Sequence, residues 1–482
     1  MKIFVNHDFK YEAGHLIKAF GLKADFQDQA DSADIVNTHR VLEDRVLITC
    51  QGPIVVEEVL WTQGVDPYEV KRQIKHLNGK VLYKVLSHMS QKDLPWGTLV
   101  GVRPAKIVHS LLEAGQSIDQ IKVYLADHFM ISQEKIDLIS QVALAELPFL
   151  EDVYDHPISL YISVPFCPSQ CLYCSFPSND LKLKGHLVGD YLKVLKREIQ
   201  AAYEGVRDHK LLVDCLYIGG GTPTALTADQ FEDILSLLDQ YFDLKGLKEF
   251  TIEAGRPKTI TADKLKVFKK YHVSRVCLNP QTMHEKTLSH IGRYHSVEDI
   301  IKTYDLVKSF DFDCVNMDLI LGLPGETIED VKATIQAVVD MGPENITVHT
   351  LAVKRSSTLN QKREDYALPE GEVIKEMVDL VGDLLKEKAY LPYYLYRQKN
   401  MAGNFENVGY ALRGYESCYN VRIIEEQHSI LALGPGAISK KCDPKRSYFD
   451  RIATIKGLEQ YIDRQDEVVD RVRAFFDPIE IQ

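Results

Sequence analysis

The chain has 482 residues, 45% of them hydrophobic and 26% charged, enough to bury a large core in roughly two to four domains. With 57 Lys and Arg against 69 Asp and Glu the net charge is −12, which disfavours a general grip on nucleic-acid phosphates or anionic lipid. No run approaches the roughly 18 apolar residues of a membrane span, and nine cysteines, sparse and odd in number, suit a reducing, cytoplasmic setting rather than a disulfide scaffold.

The first 150 residues alternate strand-like runs at 46–50 and 54–56 with helical spacing over 67–79, 105–114 and 133–150. Pro148, Asp152, Asp155 and Pro157 mark a break near residue 155. An α+β domain over residues 1–154 is expected, with no role assigned.

Beyond the break, β-rich runs at 160–164, 215–218, 250–253, 275–279, 315–321 and 346–351 alternate with amphipathic segments. In the first of these segments Val188, Leu192, Leu195 and Ile199 form one apolar stripe. Six strand–helix units predict an α/β fold: a parallel sheet with right-handed crossovers, curved into a partial (β/α)6 barrel over residues 155–365. Its chemistry belongs at the carboxyl ends of the strands, where loops converge. Residues 369–390 read as a helix, 421–424 and 430–433 as β runs, and the last forty residues as surface helices. The expected result is a C-terminal α+β extension over residues 366–482 that covers the substrate.

Cys167, Cys171 and Cys174 follow the first barrel strand with spacing C-x3-C-x2-C. Three thiolates on one loop suit three corners of an iron–sulfur cube, leaving the fourth iron open. A zinc knot completed by a distant ligand such as His156 is the alternative, although no second cysteine pair is present to build it.

This spacing, with Tyr173 before the third Cys and Gly219-Gly-Gly-Thr-Pro-Thr224 after the second strand, resembles the radical S-adenosylmethionine (SAM) enzymes. The strings Tyr161-Ile-Ser-Val-Pro-Phe-Cys167, Asn279-Pro-Gln-Thr282, Met317-Asp-Leu-Ile-Leu-Gly-Leu-Pro-Gly325 and Leu433-Gly-Pro-Gly-Ala-Ile-Ser439 are similar to the oxygen-independent coproporphyrinogen III oxidase family over about residues 155–445. The extra N-terminal domain and the stretch from Tyr394 to Tyr410 extend the likeness, nearly end to end, to its HemZ-type coproporphyrinogen dehydrogenases.

The resemblance implies a [4Fe-4S] cluster on Cys167, Cys171 and Cys174. It also implies SAM held by Tyr161, Tyr173, Gly220, Gly221, Thr222, Glu253, Gln281, Arg293, Asp318, Ala352 and Ile438. From the residues alone, Glu253 reads equally as a salt-bridged strand end, and Ala352 and Ile438 read as core packing. The implied activity is oxidoreductase chemistry in heme biosynthesis. An electron from a small donor such as flavodoxin or ferredoxin cleaves SAM, a radical takes hydrogen from a propionate, and CO2 is lost to leave a vinyl group. Two rounds turn coproporphyrinogen III into protoporphyrinogen IX, and the family's members are expected as monomers.

Candidate donors to a porphyrinogen's carboxylates are Arg103, Lys106, Lys354, Arg355, Arg397, Lys399, Asn404 and Asn407, with Tyr394, Tyr396 and Phe405 as flat walls. Phe176 stands where the well-known bacterial oxidases carry a further Cys, and the same pattern occurs in heme chaperones of the family. Heme binding without decarboxylation, and radical modification of heme, therefore stand as alternative expectations. His349 reads as a heme axial ligand or, more simply, as a strand residue with an ordinary partner.

Overall fold

The computed structural model describes residues 1–99, 103–151, 157–398, 401–426, 428–443 and 448–478. The break near residue 155, with Asp152, Asp155 and His156, lies outside the described residues, as does Lys399. The chain divides into two compact units, Met1–Ala143 and Leu144–Gln482.

The first unit is built on a five-stranded sheet in the order β2-β1-β3-β4-β5, formed by β1 (Lys2–Val5), β2 (Asp25–Gln27), β3 (Ile35–Val41), β4 (Arg45–Gln51) and β5 (Val55–Trp61). β1 pairs parallel with β2 and β3, whereas β3, β4 and β5 are antiparallel neighbours. Alternation along β4 sends Val46, Ile48 and Cys50 into the core, against the helix Pro67–Ser90. Asp66 caps that helix by accepting from the Tyr68 and Glu69 amides, and Pro67 fixes its first turn. The buried stripe continues through Val81, Leu82, Val85 and Leu86, so the helix runs on to Ser90 instead of stopping at Gly79.

The second unit carries an eleven-stranded sheet. Its first strand, β6 (Pro157–Val164), leads into the short pair β7 (Phe166–Cys167) and β8 (Asn179–Asp180). Five more parallel strands follow in sequence order beside β6: β9 (Leu212–Gly220), β10 (Glu249–Glu253), β11 (Arg275–Cys277), β12 (Cys314–Leu321) and β13 (Asn345–Thr350). These are the six runs expected from the sequence. The helix Val188–Asp208 buries Val188, Leu192, Leu195 and Ile199, as their spacing requires. Because the six strands are parallel, their carboxyl ends share one edge.

Residues after 390 lengthen the sheet on both sides. β15 (Asn407–Ala411) pairs antiparallel with β13 and carries β14 (Leu391–Tyr396) beyond it. At the other edge β16 (Ser429–Leu433) lies parallel to β6, followed by antiparallel β17 (Ile438–Asp443) and β18 (Tyr448–Ala453). The strand order is linear with ends at β14 and β18, so the barrel is partial.

Two expectations are corrected here. Residues 421–424 form part of the helix Cys418–Glu425, where the Ser417 side chain accepts from the Asn420 amide and Arg422 turns inward onto Asp214. A four-residue run, here Val-Arg-Ile-Ile, has no period that separates helix from strand, and neither the cap nor the long-range ion pair is visible in it. The last forty residues are not wholly helical, since β18 precedes the helices Leu458–Asp463 and Gln465–Ala474 and is recruited by pairing with β17. Among the described residues no helix is long and apolar enough to cross a membrane.

Candidate active site

The three cysteines lie just beyond the carboxyl end of β6. Cys167 closes β7, and the Cys174 amide donates to the Cys171 carbonyl at 3.2 Å, forming a turn. Leu172, between them, is held from two sides: its amide donates to the Ile291 carbonyl at 3.0 Å and its carbonyl accepts from the Leu359 amide at 2.9 Å. Its side chain joins Ile320, Leu323 and Leu351 in one apolar cluster. A loop with little regular structure is thereby fixed in place. Cys167 and Cys171 are buried and Cys174 is half-buried, with burial pushing the Cys174 thiol up. Among the described residues the three sulfurs do not form a group lying within 4.8 Å of one another.

Gly219, Gly220 and Gly221 bring β9 against this loop. A Cβ at Gly221 would meet the Phe166 carbonyl oxygen at 2.6 Å and Cys167 Sγ at 3.0 Å, and one at Gly220, where φ is +111°, would meet the Val164 backbone at 2.9 Å. The Gly221 and Thr222 amides donate to the Val164 and Phe166 carbonyls at 2.8 Å, and the Thr222 hydroxyl lies 3.5 Å from Cys167 Sγ. These two amides therefore hold the cysteine loop and are not open to a ligand.

Inside the sheet's curve the rings of Tyr161, Tyr217 and Tyr419 stack with centroids 6.0 and 4.5 Å apart. The Tyr217 hydroxyl donates to Glu253 at 2.5 Å. Burial pushes the Glu253 carboxyl up to about 7, the Tyr217 bond opposing and the nearby Asp318 adding to it. Asp318 takes the opposite course. Burial would raise it, but His349, the Asn316 amide at 2.7 Å and Thr347 hold it below the usual carboxylate range. His349 Nε2 lies 3.8 Å from Asp318, and its Nδ1 lies 3.4 Å from the Tyr396 hydroxyl on β14. The ring thus has the ordinary partners of a strand residue.

Arg293 is buried with its guanidinium against the Asn279 carbonyl, the Gly255 carbonyl at 3.3 Å and the Tyr173 hydroxyl at 3.4 Å. Gln281, at φ 71°, links to β12: its amide donates to the Asp318 carbonyl and its carbonyl accepts from Ile320, both at 2.9 Å. Three buried polar atoms in this group have no partner, namely Gln281 Oε1, Asn279 Oδ1 and Arg293 Nε. Each unpaired group costs about 1–3 kcal/mol, so together they mark where a polar ligand is accommodated. One donor and two acceptors suit a molecule bearing a carboxylate, an ammonium group and hydroxyls, and the residues present fit SAM beside a cluster on the cysteine loop.

Ala352 bridges to Met401 after β13, and Ile438 heads β17 with 45% exposure. The turn before Ile438 abuts the loop, since Cβ atoms at Gly434 and Gly436 would meet Ser163 O at 2.4 Å and Pro177 at 2.9 Å. Two of the substrate donors expected from sequence are engaged in fastening β14 and β15. Arg397 donates to the Asn404 carbonyl at 3.1 Å, and Asn407 accepts from the Thr350 amide at 2.9 Å.

Sequence reasoning passed over Arg256 and Tyr217, and gave Asn279 no role beyond its place in the Asn279-Pro-Gln-Thr282 string. The Arg256 fork reaches the Ser169 hydroxyl at 2.8 Å, the Ser169 carbonyl at 2.7 Å and Cys171 Sγ at 3.0 Å, and it is 7% exposed. Its signal was its place: the loop leaving the carboxyl end of β10, where this architecture puts chemistry.

Comparison with known proteins agrees with this geometry. The family model for the Radical SAM superfamily matches residues 161–338. The heme chaperone HemW of Lactococcus lactis subsp. lactis (strain IL1403) is 28% identical over 64% of this chain and 77% of its own. Coproporphyrinogen III oxidase (HemN) of Escherichia coli, a radical SAM enzyme, shares the fold with a TM-score of 0.52 and 23% identity, over 68% of this chain and 73% of its own. The oxygen-independent coproporphyrinogen-III oxidase-like protein HemZ of Bacillus subtilis (strain 168) is 37% identical over 85% of this chain and 83% of its own length. With that extent of identity and a shared radical SAM fold, the chain belongs to the radical SAM family of oxygen-independent coproporphyrinogen-III oxidase-like proteins.

Proposed function

We propose that this protein oxidatively decarboxylates coproporphyrinogen III to protoporphyrinogen IX without oxygen, with Cys167, Cys171 and Cys174 ligating a [4Fe-4S] cluster and SAM in the adjoining polar group. The observation that carries the chemistry is the convergence, at one edge of the sheet, of three thiols with the unpartnered atoms of Gln281, Asn279 and Arg293. The substrate rests on the 37% identity to the oxidase-like relative over 85% of the chain. When bound, the cluster and SAM supply a carbon radical able to take a hydrogen atom from a propionate side chain.

The chain's own part is to bind, orient and exclude water. Arg293 offers its Nε–H to a carboxylate, and Gln281 Oε1 accepts from an ammonium or hydroxyl donor. Asp318, kept ionised by His349, accepts from ribose hydroxyls, while Glu253, raised to about 7 and bonded to Tyr217, offers a carboxyl that titrates near neutrality. Tyr394 and Tyr396 stack at 6.2 Å on β14 and wall the space beside Asp318.

Phe176 and the similarity to a heme chaperone favour a second reading, heme binding on the same scaffold without decarboxylation. Anaerobic incubation of reconstituted protein with SAM, a one-electron reductant and coproporphyrinogen III separates the two. Release of CO2 with vinyl product supports the first, and methionine release without either, or no SAM cleavage, removes it.

A further inference from the structure

The sheet of the unit Met1–Ala143 ends in two edges of unlike length. On one side β2 contributes three residues, too few to offer much to another strand. On the other side β5 contributes seven, Val-Val-Glu-Glu-Val-Leu-Trp, in unbroken register with β4 from Gln51 opposite Val55 to Arg45 opposite Trp61. Among the described residues β4 is the only strand paired to β5.

Soluble proteins protect a long edge with lysine, proline or a bulge, because a row of unpaired N–H and C=O groups recruits other strands. β5 has none of the three. On the face turned away from the helix Pro67–Ser90, Val55, Val59 and Trp61 are 61, 46 and 59% exposed, and only Glu57 interrupts them. On the opposite face the single carboxylate, Glu58, is neutralised by Lys80 and Lys84 of that helix at 3.5 and 3.0 Å, so it does little to repel an incoming strand.

The strand is complementary to itself. Laid antiparallel against a copy with Glu58 on the two-fold axis, it sets Val55 opposite Trp61, Val56 opposite Leu60 and Glu57 opposite Val59, each pair occurring twice. A β-branched residue facing an aromatic or another aliphatic chain is a favourable cross-strand pair. The two Glu58 carboxylates meet at the axis among the Lys80 and Lys84 ammonium groups of both copies. With both Glu57 side chains included, four carboxylates are balanced by four ammonium groups.

We propose that this protein forms a two-fold dimer by antiparallel pairing of β5 with β5 of a second copy, in place of the monomer expected from the resemblance. The dimer joins two five-stranded sheets into one continuous sheet. Because β2 is too short to serve as a partner edge, the pairing closes after two copies and does not propagate. An edge of seven residues belongs with the smaller, weaker interfaces, so the expected Kd is micromolar.

The test is sedimentation equilibrium of the anaerobic full-length protein from about 1 to 100 μM, with hydrogen exchange at both ends of the range. The mass should rise towards that of two chains and no further, and amides of residues 55–61 should gain protection as it does. Val59→Glu places a carboxylate opposite Glu57 of the second copy, twice per dimer, and should weaken association by about tenfold or more. Val59→Lys places an ammonium group there and should keep Kd within about threefold of the parent's or tighten it. Because position 59 is exposed, both variants should keep the parent's melting temperature at the lowest concentration. A monomer throughout the range, growth beyond two copies or parental Kd in Val59→Glu would overturn the proposal. Equal loss in Val59→Glu and Val59→Lys would overturn it too, by showing a general apolar contact in place of this register.

Discussion

Arg256 places a guanidinium nitrogen 3.0 Å from Cys171 Sγ while the same fork grips both the hydroxyl and the carbonyl of Ser169. A cationic donor on a ligand sulfur stabilises the more negative, reduced cluster. Arg256→Gln should therefore make the cluster's reduction potential more negative, by about 60 mV for a loss of about 1.5 kcal/mol in a one-electron couple. An EPR-monitored redox titration reads this directly, and an unchanged or more positive potential would discard the role.

The glycine packing gives a steric prediction. Gly221→Ala drives a methyl group into the Phe166 carbonyl and Cys167 Sγ, whereas Gly189→Ala on the helix Val188–Asp208 meets open space. After anaerobic reconstitution, Gly221→Ala should hold less than about half the iron and sulfide of the parent, and Gly189→Ala should hold a full complement, with about 1 kcal/mol of added helix stability. Equal iron in both variants would show that β9 does not set the loop.

Cluster ligation itself is checked by composition. Cys167→Ala, Cys171→Ala and Cys174→Ala should each abolish the broad visible absorption and all SAM cleavage. Cys277→Ala and Cys442→Ala, altered outside the loop, should keep the absorption. A complete cluster in Cys167→Ala would remove the assignment.

His349 offers a pH-dependent test. It is the main influence holding Asp318 low against the effect of burial, so His349→Phe should let burial raise the Asp318 carboxyl. SAM affinity in that variant should then fall more than the parent's as pH drops from 8 to 6, by roughly tenfold for each unit the carboxyl exceeds the ambient pH. Parallel Kd profiles would dissociate His349 from Asp318.

Glu198 makes a stability prediction. It is fully buried, accepts from the Gly434 amide at 2.8 Å and the Tyr461 hydroxyl at 2.5 Å, and burial pushes its carboxyl up to about 8. The unfolded chain ionises this group near its ordinary 4.5, so its contribution is complete below that pH and is lost as pH rises towards 8, at no more than about 1.4 kcal/mol per unit. Glu198→Gln keeps an acceptor for both donors and should flatten the fall in melting temperature between pH 5 and 8. Identical slopes in parent and variant would mean that Glu198 is not the group responsible.

The six barrel strands and the cysteine loop were legible because each depends on local signals, β-branched runs of four to seven residues and a fixed spacing of thiols. What stayed hidden depends on distance. Arg256 reaches Ser169 across 87 residues, Tyr217 reaches Glu253 across 36, and Arg422 pairs with Asp214 across 208. The helix Cys418–Glu425 was misread for the same reason, since Arg422 reads as a surface cation until Asp214 is opposite it. Glycine roles fell between: Gly219 to Gly221 announced a close approach, but not that the partner is the protein's own cysteine loop.

The seating of β16 beside β6 bears on when the protein can mature. Until residues 429–437 have left the ribosome, the strand that leads into the cysteine loop has an exposed edge, and the loop lacks the Gly434 and Gly436 turn against Ser163 and Pro177. The cysteines are synthesised some 260 residues before the segment that backs them, so their loop takes its final place only once that later segment has folded against it.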